Sequence, residues 1–309
     1  MTIKKTFYAL THLFVFGVFI FICGTIFTPE HEARAALSKR VFLTSGTTWT
    51  VPADWSDVDT IETIGGGGHG AQNNNGGGSG GGGAYASITN LDLTAGASVT
   101  YRVMATSDTV FNTSATTCAG SPTPSVCATA GTSASGNTNG TGGLASGSVG
   151  TIKYSGSDGS FGGGSAAGPS GDALSYAADN GFGGSQGDAG SDYCGDLSTD
   201  GGPGGSGYPG YEYDTLPGHG SGGGGGMGGS AGPGGFTGGA GGAGGSYGGG
   251  GGGGGSRCGI GGTPGGAGNG AGGLIIITYT STETGSTSLA KFKIKGGRFI
   301  IKGGSVRIK

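Results

Sequence analysis

Charged residues are scarce in this chain of 309 residues, making up 11% of it, and only four histidines occur. A charge-driven disordered protein needs a high net charge, so the composition argues against that class. The chain also has no GK[ST] phosphate loop, no HExxH zinc helix and no GxSxG elbow on a strand-to-helix turn. These absences argue against the enzyme classes that depend on those motifs, and we predict that the protein is not an enzyme.

Two weaker signals for small-ligand sites lack the context that such sites need. Gly65-x-Gly67-x-x-Gly70 has dinucleotide spacing, but AQNNNGGG follows it rather than a helix that could hold a pyrophosphate. Aspartates recur every four residues between 188 and 200 without the D-x-D-x-D-G pattern of a calcium loop. We interpret them as solvated acids, and we expect no cofactor and no metal.

Glycine dominates the composition, with 83 residues against 10 prolines. Collagen is excluded because it requires glycine at every third position and far more proline. The glycine runs could form a flexible spacer, since few apolar side chains offset the entropy of ordering them. The alternative is a bundle of polyglycine II helices, whose extended chains lack Cβ atoms and hydrogen-bond to each other. Five runs suit such a bundle: 65–83, 159–171, 201–210, 218–235 and 238–262.

Residues 1–35 have the organisation of an export signal. Two lysines precede the apolar run Leu13–Phe27, and Ala33-Arg34-Ala35 places small residues where a signal peptidase cuts. We predict cleavage before Ala36 and a location outside the cell or on its surface. The alternative is an uncleaved membrane anchor, because the apolar stretch is nearly long enough to span a bilayer.

Four cysteines follow that segment: Cys118, Cys127, Cys194 and Cys258. An even number in an exported chain predicts two disulfides, with three possible pairings. Cys118 and Cys127 bracket a proline-containing loop, so their pairing is the local solution and leaves Cys194 with Cys258. No CxxC…CxxC pattern is present, so zinc is not expected.

Strand signals flank the glycine runs. Residues 42–43 and 49–51 predict one strand pair around Ser45-Gly46, and residues 58–64 predict a further strand. The stretch 84–105 predicts a second pair that turns at residues 94–96. The β-branched run 274–279 is continuous and short, which predicts a strand buried on both faces.

Three motifs occur in order: SGTTWTVPA at 45–53, leading to the glycines after Ile64; GGGGAYA at 80–86; and GNGAGGLIIITY at 268–279. In this order they resemble the glycine-rich domain family of phage tail and bacterial surface proteins. The chain departs from the family's usual VGaGG stretch at 103–108, and the loop around 118–127 resembles an insertion. The resemblance implies an all-β, glycine-rich fold with a β-sandwich-like base, glycine-rich segments projecting from it and no enzyme activity.

The resemblance also implies a contact surface. In phage members of the family, loops between polyglycine helices contact receptors, so the aromatic segment 207–220 is the first candidate here. Its tyrosines are Tyr208, Tyr211 and Tyr213, and tyrosine among glycines combines contact area with low side-chain entropy. The alternative is that these tyrosines cap the base of the bundle.

The last nineteen residues hold seven basic and no acidic side chains, whereas residues 36–290 hold 5 basic and 16 acidic ones. A seven-residue repeat around Gly296-Gly297 and Gly303-Gly304 predicts a small three-stranded β-meander. One face would carry Phe292, Ile294, Phe299, Ile301, Val306 and Ile308. The other would carry the basic anchoring residues Lys293, Lys295, Arg298, Lys302, Arg307 and Lys309, with Ile300 out of place. The alternative is a disordered basic tail.

We therefore expect four regions: a signal or anchor (1–35), a glycine-rich domain with β-strand flanks (36–280), a linker (281–290) and a basic β tail (291–309). The expected function is an exported structural or adhesive surface protein, held on the cell envelope or on other copies of itself through the tail. One alternative is an adhesin that binds a surface glycan or protein receptor, and another is a largely disordered coat. Nucleic acid is not expected as a partner, because the body is acidic.

Overall fold

The computed structural model describes residues 37–160, 162–173, 203–208, 210, 232–234, 237–258, 262–282, 300–302 and 305–307. Within these ranges the chain forms thirteen β-strands and one short 3-10 turn, Ala145–Gly147, and no α-helix. The predicted all-β class is therefore confirmed. No helix of the described ranges is long and apolar enough to cross a membrane. The predicted signal segment lies outside them.

The chain divides into two units. The larger is Leu37–Glu283, and the smaller joins Met1–Ala36 to Thr284–Lys309. In chain order the strands are β1 (Ser38–Leu43), β2 (Thr48–Thr50), β3 (Asp59–Ile64), β4 (Tyr85–Thr89), β5 (Ser98–Arg102), β6 (Thr109–Phe111), β7 (Val126–Ala128), β8 (Ile152–Tyr154), β9 (Gly232–Gly234), β10 (Arg257–Cys258), β11 (Leu274–Thr280), β12 (Ile300–Lys302) and β13 (Ser305–Arg307).

Two antiparallel sheets form the base of the larger unit. The five-stranded sheet has the order β1-β11-β3-β4-β8, and the four-stranded sheet has the order β2-β5-β6-β7. A separate short pair, β9 with β10, is parallel. Strands from the two ends of the unit thus lie side by side, since β1 and β3 both pair with β11.

One apolar core lies between the two sheets. The five-stranded sheet contributes Leu43, Ile61, Ala86, Ile275, Ile277 and Tyr279, and the four-stranded sheet contributes Val99, Tyr101, Phe111, Val126 and Ala128. Alternate residues of β11 face the other way, where Leu274 and Ile276 pack with Ile64 and Tyr85. The prediction of a strand buried on both faces at 274–279 is confirmed.

Two predicted strand pairings are wrong. β1 and β2 do not pair around Ser45-Gly46, because β1 pairs with β11 and β2 pairs with β5. The turn between them crosses from one sheet to the other, where the Tyr101 hydroxyl donates to the Ser45 carbonyl at 2.6 Å. Likewise β4 and β5 belong to different sheets. Each connection bridges the core, so local alternation identified the strands but not their partners.

Different segments of the chain extend from the two ends of the sheet pair. At one end, called here the glycine end, β3 runs into Gly65, and β4 and β11 begin directly after glycine segments. At the opposite end, called the terminal end, Ser38 pairs with Thr280, and the Ser281 amide donates to the Leu37 carbonyl at 2.8 Å. Both termini of the larger unit therefore leave it together, away from the glycine segments.

The glycine segments are joined by backbone hydrogen bonds that recur at every third residue. Three such series link 204–210 to 240–246, 238–244 to 263–269, and 265–271 to 249–255, with N···O distances of 2.8–3.2 Å. The first two series join parallel segments and the third joins antiparallel ones. Each inner segment thus bonds to several neighbours that are remote in sequence.

A small second core covers the outer face of the four-stranded sheet. Val110, Cys118 and Cys127 are buried there, with Val149 packed against them. Cys118 and Cys127 form a disulfide with Cα atoms 5.4 Å apart, as the sequence predicts. The bond fixes the loop 112–125 against the sheet. Cys194 lies outside the described residues, and of Cys258 only the backbone is described.

In the smaller unit, β12 and β13 form an antiparallel pair around Gly303-Gly304. Ile301 is opposite Val306, as predicted, and Lys302 is opposite Ser305. The strand predicted before Gly296-Gly297 lies outside the described residues.

Candidate functional site

The central glycine run, 248–255, is buried along its whole length. A Cβ atom at Gly253 would lie 2.0 Å from the Gly77 carbonyl oxygen, and one at Gly251 would lie 2.1 Å from that of Gly268. Cβ atoms do not approach backbone oxygens so closely, so these two positions accommodate glycine alone. By contrast, a Cβ at Gly266 would meet no atom within 4 Å.

Ser79 is a side chain that the buried glycine segments do accommodate. Its hydroxyl accepts a hydrogen bond from the Gly253 amide at 3.1 Å, and its own amide donates to Asn139 Oδ1 at 2.9 Å. At this point side-chain oxygens accept the amide hydrogen bonds that backbone carbonyls accept elsewhere in the glycine segments. This site could have been found from the sequence, since Ser79 interrupts the glycine run 76–83.

The turns farthest from the sheets carry neutral polar side chains. Gln72, Asn74, Asn75, Ser135, Asn137 and Thr138 are exposed there. The turns are tied to one another, because Gln72 Nε2 donates to the Pro264 carbonyl at 2.8 Å and the Arg257 amide donates to the Asn74 carbonyl at 3.2 Å. Sequence reasoning missed this surface, although the runs QNNN and NTNGT were visible signals for it.

Of the three predicted contact tyrosines, Tyr208 is described and is half exposed. It lies between Gly207 and Gly210, whose amides donate to the carbonyls of Ala243 and Ser246. Those partners lead directly to Tyr247, which packs against the outer face of the five-stranded sheet. Tyr208 is therefore nearer the sheets than the polar turns are. Tyr211 and Tyr213 lie outside the described residues.

His69 has a structural position. Its Nδ1 accepts a hydrogen bond from the Gly270 amide at 2.9 Å, and its own amide donates to Ser133 Oγ at 3.0 Å. The side chain thus joins two glycine segments. His219 and the aspartates between 188 and 200 lie outside the described residues.

A polar cluster around Asp54 closes the terminal end. Asp54 accepts hydrogen bonds from Lys39 Nζ at 2.6 Å, from the Ser281 hydroxyl and from the Tyr279 hydroxyl at 3.3 Å. The Thr282 amide donates a hydrogen bond to the backbone carbonyl of Asp54. The bonds from Lys39 and Ser281 lower the pKa of Asp54 to about 2. Ser281 and Thr282, which the sequence placed in the linker, are thus bonded to the body.

Asp59 is a second buried carboxylate near the terminal end, and its surroundings differ from those of Asp54. Asp59 is 5% exposed, and its carboxylate oxygens make no hydrogen bond of ordinary geometry. Burial is the main cause that raises its pKa to about 6, although the Leu91 amide opposes this in part. Glu62, three residues along β3 and so on its opposite face, instead accepts a hydrogen bond from the buried Tyr85 hydroxyl at 2.6 Å.

One group in the described part of the chain has metal-ligand types close together, namely Asp108, Cys118 and Cys127. The two sulfurs are joined in the disulfide, and both Asp108 oxygens accept backbone amides, those of Cys118 and Ala130, at 2.9 Å. Asp108 is thus a backbone acceptor that fixes the disulfide loop to the start of the next glycine segment.

Of the predicted anchoring residues, Lys302 and Arg307 lie on β12 and β13. Lys293, Lys295, Arg298 and Lys309 lie outside the described residues. No protein-family model matches the chain, and no curated protein matches it.

Proposed function

We propose that the protein is an exported, glycine-rich structural surface protein whose body is a polyglycine II-type bundle on a β-sandwich-like base. The observation that carries this proposal is the three-residue spacing of the hydrogen bonds between glycine segments. An extended helix with three residues per turn presents its N–H and C=O groups with that period. A flexible spacer has no such spacing, so the hydrogen bonds favour an ordered body over a disordered coat.

The direction of the chain at the base supports a display role. Both termini of the larger unit leave at the terminal end, whereas the glycine segments extend from the glycine end. A molecule held through either terminus would then present its polar turns away from the attachment. This arrangement suits a protein that covers or extends a surface.

In this proposal the basic tail provides attachment. Seven basic residues follow an acidic body, and β12 pairs with β13 in the register predicted for a small basic sheet. An anionic cell envelope, or the acidic body of another copy, is complementary to such a segment. The body itself offers few charges for this purpose.

The test is fractionation of cells that express the full chain or a chain that ends at Ser288. We expect the truncated protein to move from the envelope to the medium, because its attachment is removed. A full-length control with K302Q and R307Q should show partial release that increases with salt. If both chains stay on the cell, the tail is not the attachment, and an uncleaved N-terminal segment accounts for retention.

A receptor-binding role is the second candidate, because Tyr208 is half exposed within the glycine segment 204–210. A variant with Tyr208, Tyr211 and Tyr213 changed to alanine should lose at least about tenfold in cell adhesion if these rings are contact residues. The control changes Thr48 and Thr100 to alanine, since both are exposed on the four-stranded sheet. Equal adhesion of both variants and the wild type would rule this role out.

A further inference from the structure

Asp59 lies inside the sheet pair rather than on its surface. It is on β3 two residues before Ile61, which belongs to the core between the sheets, and residues two apart on a strand share a face. Its cross-strand neighbour is Tyr279 of the same core. The ring of Tyr279 packs 5.0 Å from that of Trp55. The carboxylate is therefore held at the terminal end of the core.

Two buried polar groups at this end make no hydrogen bond of ordinary geometry, the Asp59 carboxylate and the Trp55 indole nitrogen. An ionised carboxylate in an apolar site is costly unless it is paired, whereas the protonated form costs much less. In the described part of the chain, the cations on β1 bind other groups: Lys39 binds Asp54, and Arg40 donates to the Thr278 hydroxyl. The geometry alone thus favours a neutral side chain at residue 59.

The titratable groups on the elements around Asp59 reinforce this preference. They are Lys39 and Arg40 on β1, Asp54 and Asp57 before β3, Tyr85 on β4, Asp92 after β4, Tyr101 and Arg102 on β5, and Tyr279 on β11. Three are acids, and Asp57 repels the charged form of Asp59. The tyrosine hydroxyls are donors to other groups, Tyr85 to Glu62, Tyr101 to Ser45 and Tyr279 to Asp54.

We propose that Asp59 is a proton-binding site that makes the sheet pair more stable in mild acid than at neutral pH. The proton keeps the carboxyl neutral within the core, and its loss places an unpaired charge beside Tyr279. Tyr279 also donates a hydrogen bond to Asp54. Asp54 in turn binds Ser281, which follows the end of β11. Deprotonation therefore destabilises the terminal end, where both termini of the larger unit leave the sheets.

The direction of the effect follows from the two pKa values at this end. A carboxyl whose pKa is raised in the folded state stabilises fully below its ordinary pKa, and this contribution is lost as pH rises through about 6. Asp54 has a lowered pKa, so its contribution is lost only as pH falls through about 2. Stability should therefore decline between about pH 4 and pH 7.

The experiment measures the unfolding equilibrium of the full chain between pH 4.5 and 7.5, for the wild type, D59N and D57N. We expect the unfolding constant of the wild type to rise by up to about thirtyfold across this range. D59N should lose most of this rise, because an amide cannot ionise. D57N is the matched control and should keep most of the rise, because Asp57 is exposed and burial raises the pKa of Asp59 more than Asp57 does. A D59N chain with the wild-type pH dependence would overturn the proposal.

A second measurement does not depend on a variant that folds. The carboxyl carbon of Asp59 can be titrated by NMR in the wild type, where a midpoint near 6 is expected and a midpoint near 4 would overturn the proposal. Hydrogen exchange gives the local consequence. Amides in 274–282 should exchange faster at pH 7.5 than at pH 5, after correction for intrinsic rates, and no difference would contradict the link to the terminal end.

Discussion

Replacing Gly253 with alanine is expected to lower the free energy of unfolding by at least about 3 kcal/mol. The added Cβ would lie 2.0 Å from the Gly77 carbonyl oxygen, and both atoms are fixed in backbone that bonds to further segments. No side-chain rotation can relieve the contact. Denaturant titration followed by tryptophan fluorescence measures the sheet pair, and hydrogen exchange of 248–255 measures the glycine segments directly.

Gly266→Ala is the control for this prediction. Its Cβ would enter open space, so the variant should remain within about 1 kcal/mol of the wild type and gain from a stiffer unfolded chain. Equal stability of the two variants would mean that the glycine segments are not closely packed in solution. Loss of exchange protection in G253A with intact fluorescence would show that the base folds without them.

Removing the Cys118–Cys127 disulfide through serine at both positions is expected to cost about 3 kcal/mol. This is the chain-entropy value for a short closed loop, and the serines also place hydroxyls in the small core with Val110 and Val149. The unfolding midpoint should fall, and the loop 112–125 should become sensitive to protease before the sheets unfold.

The same double variant also tests the second predicted disulfide. Adding a thiol reductant to it should destabilise the chain further if Cys194 and Cys258 are paired. The control is the C194S/C258S variant, in which the reductant should produce the loss assigned to the first bond. An unchanged midpoint of the C118S/C127S variant under the reductant would leave Cys194 and Cys258 without a stabilising bond.

Local signals in the sequence were sufficient for several elements. The β-branched run 274–279 is a doubly buried strand, the nearby cysteines 118 and 127 are paired, and β12 pairs with β13 in the expected register. Each of these features is decided within about ten residues of chain. Alternation or turn chemistry then contains most of the information needed.

Partners remote in sequence were not predictable in the same way. Strands β1 and β2 are close in sequence and both alternate, yet they belong to opposite sheets, because burial is satisfied equally well by either neighbour. The glycine segments are a stronger case, since glycine has no side chain with which to specify a partner. Their arrangement depends on the sheets, which hold the ends of the segments, and on the bonds that Ser79 and His69 make to glycine amides.

The buried acids show what alternation could and could not predict. Asp59 precedes Ile61 by two residues on a predicted strand, so its inward position was available from the pattern. The cluster at Asp54 was not, because its donors Lys39, Tyr279 and Ser281 come from opposite ends of the unit. Only the pairing of β1 with β11 brings them together.

The three-residue spacing of the hydrogen bonds constrains how genes for such chains can change in length. Repeated glycine codons are prone to replication slippage, which adds or removes whole residues. A gain of three residues in 238–244 moves each amide to the next equivalent carbonyl of 263–269, whereas a gain of one or two leaves the series out of phase. Length variants that persist in a population should therefore differ by multiples of three residues within each segment.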